Sequence, residues 1–206
     1  MYQPPHFRMQ DEAEILEIIR RRPLGLLITN GAGGLMADPI PFLYFEGAPR
    51  RLVAHLARAN PQIASIGEGC EALVVFQAEN AYVSPGWYAA KREHGKVVPT
   101  WNYVMVQAKG RARLHDDRQW LRTQVGMLTD QHEIGRAEPW AVRDAPEDFL
   151  AAQLRGIVGL EIEIETLEGK AKLSQNRSEA DRTGVREGLS REPDIGARLM
   201  AWRLGE

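Results

Sequence analysis

The sequence predicts an α+β fold in which an antiparallel, barrel-like sheet is decorated by helices. Three observations carry this. Residues 157–166 alternate over most of their length, with Leu160, Ile162 and Ile164 on one face and Glu161, Glu163 and Glu165 on the other, the period of a half-exposed strand. Asn30 and Gly31 separate two extended apolar runs, a hairpin signal. Further strands follow in hairpin-like succession, with helices inserted between them, rather than in the regular strand–helix alternation of a doubly wound parallel sheet.

In chain order, residues 11–22 read as a helix. Asp11 can cap it, Ile15, Leu16, Ile18 and Ile19 form an apolar stripe, and Pro23 stops it. Residues 24–29 form a short apolar strand. Gly31 to Gly34 make the hairpin loop, and Leu35 opens the partner strand, which Pro39 and Pro41 restrict to an edge or an irregular course. A strand at 52–57 leads to Asn60-Pro61, a cap and first residue for a short helix. Residues 72–78 form a buried strand, 82–96 a loop with one short helix, and 98–114 a long strand. A helix at 116–134 presents Trp120, Val125, Met127 and Leu128 as candidate buried positions. A short helix at 147–154 precedes the alternating strand, which is expected to end in a loop at Glu168-Gly169. Two short helices, at 179–189 and 193–204, follow.

Composition narrows the function classes. The 206 residues fit one generous domain with a helical C-terminal segment from about residue 178. Hydrophobic residues make up 44% and charged residues 26%, ordinary for a soluble globular chain, and the net charge of −2 gives no overall attraction to nucleic acid. Cys70 is the single cysteine, so no internal disulfide or multi-cysteine metal site can form. The five histidines are scattered without metal-ligand spacing. No nucleophile-elbow motif is present, and the glycines at 31–34 lack the spacing of a dinucleotide fingerprint. No apolar run approaches membrane-spanning length, which makes a cytoplasmic home the expectation.

Three tracts stand out as binding material. In Val97 to Tyr103, Pro99 interrupts sheet pairing, Trp101 and Tyr103 share one strand face, and Asn102 lies on the other. Thr100, Trp101 and Asn102 are candidate contacts to a flat heterocycle. Lys170 to Arg177 supplies Lys170, Lys172, Ser174, Gln175 and Asn176 as donors for a phosphate or a polyol chain. In Leu52 to Gln62, His55 points away from Ala54 and Leu56, Arg58 follows the strand, and Asn60 and Gln62 flank a helix N-terminus, a candidate anion site. The plain alternatives are a core histidine, a surface arginine, core or interface aromatics and a solvated basic turn.

These tracts resemble the FMN-binding negative transcriptional regulators of the PaiB type. The resemblance runs through Met1-Tyr2 with Pro5-His6-Phe7, Ala54 to Gln62, Tyr82 to Pro85 with Trp87-Tyr88, Val97 to Tyr103, and Gly169-Lys170 with Lys172 to Arg177. Gly86 and Ala171 depart from it, standing where serine and tryptophan are expected. The family implies an FMN-binding split barrel, a homodimer and FMN as cofactor, with the flavin commonly held between subunits. It also implies repression of transcription. The basic cluster Lys91, Arg92, His94 and Lys96 and the arginines Arg177, Arg182 and Arg186 are the cations available for DNA. Two alternatives remain open on the same fold, a flavin-dependent oxidoreductase and a cofactor-free relative.

Overall fold

A computed structural model describes residues 1–205 of the chain. The first helix, α1 (Glu12–Arg21), starts where the Asp11 carboxylate accepts the Ala13 N–H, and its last turn carries Arg20 and Arg21 where the helix dipole favours cations. Strands β1 (Leu24–Gly31) and β2 (Gly34–Pro41) form the expected hairpin, closed by the pair Gly31–Gly34. There Gly34 adopts φ +90°, a backbone region that L side chains avoid. Next come β3 (Leu43–Phe45), β4 (Arg51–Ala57), α2 (Gln62–Ile66), β5 (Cys70–Val83), α3 (Ala90–Glu93) and β6 (Thr100–His115). The chain ends with α4 (Arg118–Glu133), α5 (Glu147–Arg155), β7 (Ile157–Lys172), α6 (Glu179–Ser190) and α7 (Ile195–Arg203).

The strands make one seven-stranded sheet in the order β2-β1-β5-β6-β7-β4-β3. The ladders β1–β2, β1–β5, β3–β4 and β4–β7 are all antiparallel. Pro39 and Pro41 lie on β2, an edge of the sheet, where a residue without an N–H breaks no ladder.

The chain forms two compact units. One comprises Met1–Ile18, Gln77–Val106 and the chain from Glu168 onward. Its core joins Val83, Tyr88, Val185, Leu189 and Met200. Helix α6 lies so close to the turn Pro85–Trp87 that a Cβ at Gly188 would fall 2.2 Å from the Trp87 ring. The other comprises Ile19–Phe76 and Gln107–Leu167. Here Leu121 of α4 packs with Leu150 and Leu154 of α5, and Leu128 packs with Leu43 and Val53. Gly159 leaves room for the Trp120 ring, which a Cβ there would meet at 2.2 Å.

Several elements differ from expectation, three of them in ways that bear on the site. Strand β7 does not stop at Glu168-Gly169 but continues to Lys172. The N-terminal segment supplies the pairing, since Met9 N–H donates to the Gly169 carbonyl at 3.0 Å and Arg8 bridges to Lys170. Helix α4 buries Leu121, Gln124 and Leu128, while Trp120 and Val125 are half-buried and Met127 is exposed. A polar residue, Gln124, takes one of the inward positions, where it bonds to His55. Strand β5 is also longer than expected, running to Val83 through Glu79 and Asn80.

Candidate functional site

The predicted site residues fall into two groups, one in each unit. In the first unit, strand alternation puts Thr100 and Asn102 on one face of β6, and the end of β7 brings up Lys170, Lys172 and the turn that follows. Lys172 Nζ donates to Thr100 Oγ1, and this lysine is half-buried. Asn102 is fully buried at 0% exposure; its Nδ2 donates to Ser174 Oγ at 3.0 Å, and the Ser174 hydroxyl donates back to Asn102 Oδ1 at 3.2 Å. Ser174 has φ +62°, the sole non-glycine residue with positive φ among the described residues. Such a backbone costs of order 1–3 kcal/mol, and the paired bonds to Asn102 help hold it.

Lys170 is 7% exposed. Its Nζ donates to the Tyr2 carbonyl at 3.0 Å and lies 5.4 Å and 5.3 Å from the Tyr2 and Tyr103 ring centroids. Two π-faces and one carbonyl thus surround a buried cation. No carboxylate pairs with Lys170 or Lys172 among the described residues. Gln175 is taken up locally, accepting from Leu173 N–H at 2.7 Å and donating to the Ala171 carbonyl at 2.6 Å. Asn176 is exposed on the same turn. Trp101, 53% exposed, meets the half-exposed Tyr82 edge-to-face at 6.3 Å. Both line a groove of about 650 Å³ whose walls include Trp87 and Ile195.

In the second unit the structure engages the predicted anion donors with protein partners. Arg58 makes a two-toothed ion pair with Asp116 and donates to the Arg155 and Ile157 carbonyls, each at 3.0 Å. Asp116 beside the guanidinium is held below the usual carboxylate range, and the Arg58 pKa is raised in turn. Asn60 Oδ1 accepts the Gln62 N–H at 2.8 Å, and its Nδ2 donates to Asp38 at 3.1 Å. Gln62 is wholly buried and donates to Thr29 Oγ1 at 3.1 Å and to the Leu27 carbonyl at 3.2 Å. Helix α2 therefore begins at Gln62, one residue later than Pro61, with its first N–H already satisfied. His55 Nδ1 lies 2.8 Å from Gln124 Oε1.

Sequence reasoning missed Tyr2 and Tyr103 as the walls around Lys170, and Asp116 as the partner of Arg58. Tyr2 comes from the far end of the chain, so no local pattern could place it. Asp116, beside Asp117 at a strand–helix junction, looks like a helix cap, and Asp117 alone takes that role, accepting from Trp120 N–H at 2.7 Å.

Comparison with known proteins agrees with this architecture. A family model described as a putative FMN-binding domain matches residues 1–166. The chain is 32% identical over 203 residues to the protease synthase and sporulation protein PAI 2 of Bacillus subtilis, covering 98% of this chain and 95% of that protein. It is 34% identical over 170 residues to an uncharacterized protein of Saccharomyces cerevisiae, covering 72% of this chain and 100% of that one. Among solved structures, the FAD and heme binding protein of Mycobacterium smegmatis superposes with a TM-score of 0.58 at 20% identity, over 80% of this chain and 73% of that one. A conserved hypothetical protein of Mycobacterium tuberculosis superposes with a TM-score of 0.59 at 11% identity, over 85% and 92%. With its antiparallel sheet, inserted helices and end-to-end similarity, the chain belongs to the PaiB-type family of FMN-binding split-barrel proteins.

Proposed function

We propose that this chain is an FMN-binding transcriptional regulator that acts as a homodimer, with the cofactor phosphate held by the β6–β7 constellation. The observation that carries the reading is the pair Lys170 and Lys172, two cations withdrawn from solvent without a carboxylate beside them. A half-buried ammonium whose one partner is a hydroxyl is an incomplete ion pair, and an anion of the right size completes it. Thr100 accepts from Lys172, and Asn102 pairs with the strained Ser174 at the same end of β6 and β7, a set of polar groups that suits a phosphate with a neighbouring polyol. Trp101 and Tyr82 offer exposed aromatic surface of the kind a flat ring stacks on.

Bound FMN would supply a redox-active ring and a phosphate anion; the chain's part is to hold and orient it. A second copy of the chain is the expected cover for the exposed Tyr82 and Trp101. The basic stretch at Lys91, Arg92 and Lys96, exposed throughout, is the expected DNA contact.

The test is a titration of purified protein with FMN and with riboflavin, followed by flavin absorbance, together with a gel shift on the gene's own upstream DNA. Preference for FMN and a shift at low salt are expected. Flavin binding without any shift would favour the oxidoreductase reading, and no flavin binding would favour a cofactor-free relative.

A further inference from the structure

Helix α7 is apolar on two faces. Ala197, Met200 and Ala201 turn inward, each no more than 5% exposed, and join Val185 and Leu189 of α6 in the core of the first unit. Ile195, Leu199 and Trp202 stand on the opposite side at the spacing i, i+4, i+7, which is one stripe of a helix, and they are 67%, 39% and 58% exposed. At 1.5 Å per residue the stripe is about 10 Å long. A surface helix carries polar residues on its outer side; a helix that is apolar on both sides is covered on both.

The two ends of the stripe differ in charge. At its start, Ile195 lines the groove that holds Tyr82 and Trp101, and the charged residues of that lining are both acidic, Glu192 and Asp194. Asp194 commits one oxygen to the α7 cap, accepting the Ala197 N–H at 2.8 Å. At its end, Trp202 lines a hollow of about 390 Å³ between α6 and α7 together with Arg186 and Arg198. The Arg186 guanidinium sits beside the end of α7, where a Cβ on Gly205 would lie 3.7 Å from its Nη1. Arg182, Arg191 and Arg203 of this region are paired with Glu179, Glu187 and Glu14, whereas Arg186, Arg198 and Glu192 have no ion pair among the described residues. The helix dipole favours acids before α7 and bases after it, but it accounts neither for the exposed stripe nor for Arg186, which belongs to α6.

Acidic at one end, apolar in the middle and basic at the other, this face is complementary to itself when reversed. A two-fold axis through the middle of the stripe sets Ile195 against the partner's Trp202 and brings each acidic end to a basic one, the requirement of an isologous contact. From this self-complementarity we infer that α7 packs antiparallel on the α7 of a second copy, with Leu199 near the axis and Arg186 facing the partner's Glu192. The contact rests on the homodimer proposed above and assigns one part of its interface. Through Ile195 it is continuous with the Tyr82 and Trp101 surface.

The test uses the full chain with Cys70→Ser, so that a cysteine placed at position 199 is the sole thiol. A short bismaleimide, matched to the roughly 8–10 Å between packed helix axes, should link Leu199→Cys into a covalent dimer at micromolar concentration. Leu199→Glu, a change at a partly exposed site, should turn the dimer into a monomer in light scattering and leave far-ultraviolet circular dichroism unchanged. Arg186→Glu or Glu192→Arg alone should weaken dimerisation about tenfold, because reversal turns two symmetric attractions into repulsions, and the two together should restore it. A monomeric parent protein would remove the homodimer and this contact together. A parent dimer that gives no crosslink at 199 and is unmoved by Leu199→Glu would keep the homodimer and overturn the α7 contact alone, leaving the stripe to a different protein. Single reversals without effect, or a double swap that fails to restore association, would overturn the pairing of Arg186 with the partner's Glu192.

Discussion

Lys172 and Arg58 show how little a residue type says about availability. Both are cations in tracts that resemble flavin-binding segments, yet Lys172 meets one hydroxyl while Arg58 meets a carboxylate and two carbonyls. Lys172→Ala is therefore expected to weaken FMN by about 10–150-fold, the range of a charge-assisted hydrogen bond of roughly 1.5–3 kcal/mol, and to leave riboflavin little changed. Arg58→Ala should weaken both ligands alike, because its guanidinium ties the end of β4 to Asp116 and to the start of β7. Paired titrations of the two variants with FMN and riboflavin decide between them; selective loss of FMN in Arg58→Ala would return the phosphate to the second unit. The Arg58–Asp116 pair also has a signature of its own. Hydrogen bonding to Arg58 lowers the Asp116 pKa, so its small contribution to stability is present above the unfolded value of about 3.9 and is lost as pH falls through the folded value. Carboxyl 13C shifts followed against pH should place the Asp116 midpoint below that of an unpaired aspartate. A midpoint at the ordinary value would mean that the pair does not form in solution.

At the scale of elements, close approaches and remote partners decide what local pattern cannot. Helix α6 carries Gly184 and Gly188 toward Trp87, and an added Cβ at Gly188 meets the indole ring well inside van der Waals contact. Gly188→Ala should destabilise the protein by about 1–3 kcal/mol, as overpacking does, despite the better helix propensity of alanine. A thermal melt that rises instead would show that Trp87 can move aside. The sequence made the elements themselves legible: the α1 stripe, the Gly31–Gly34 turn, the proline-bearing edge strand and the alternation in β7 all follow from period and turn chemistry. What stayed hidden was set by partners far along the chain. Strand β7 outruns its expected end because residues near the N-terminus pair with it. Helix α4 turns a glutamine inward because His55, 69 residues earlier, accepts its company. The candidate site divides in the same way, since Thr100, Asn102, Lys172 and Ser174 do converge, whereas Arg58, Asn60 and Gln62 are engaged by Asp116, Asp38 and β1.

For the whole molecule, charge sets the terms of any contact with DNA. A net charge of −2 offers the duplex no overall attraction, so binding must rest on a local patch that a homodimer would present twice. Two groups of cations were candidates, and the structure separates them. Arg182 is paired with Glu179 at 3.2 Å, and Arg177 lies over the Tyr88 ring at 4.7 Å, so both have protein partners. Lys91, Arg92 and Lys96 are exposed on and after the short helix α3, with no ion pair of their own among the described residues. Light scattering at micromolar concentration should report a dimer, and the operator should be roughly palindromic to match its two-fold axis. Affinity should fall steeply with salt, in proportion to the phosphates neutralised. Replacing Lys91, Arg92 and Lys96 together by alanine should flatten that salt dependence and remove most binding, while FMN absorbance stays as in the parent protein. A gel shift that survives the triple replacement would move the contact to Arg186 and its neighbours; a monomer in scattering would remove the symmetry on which the palindrome depends.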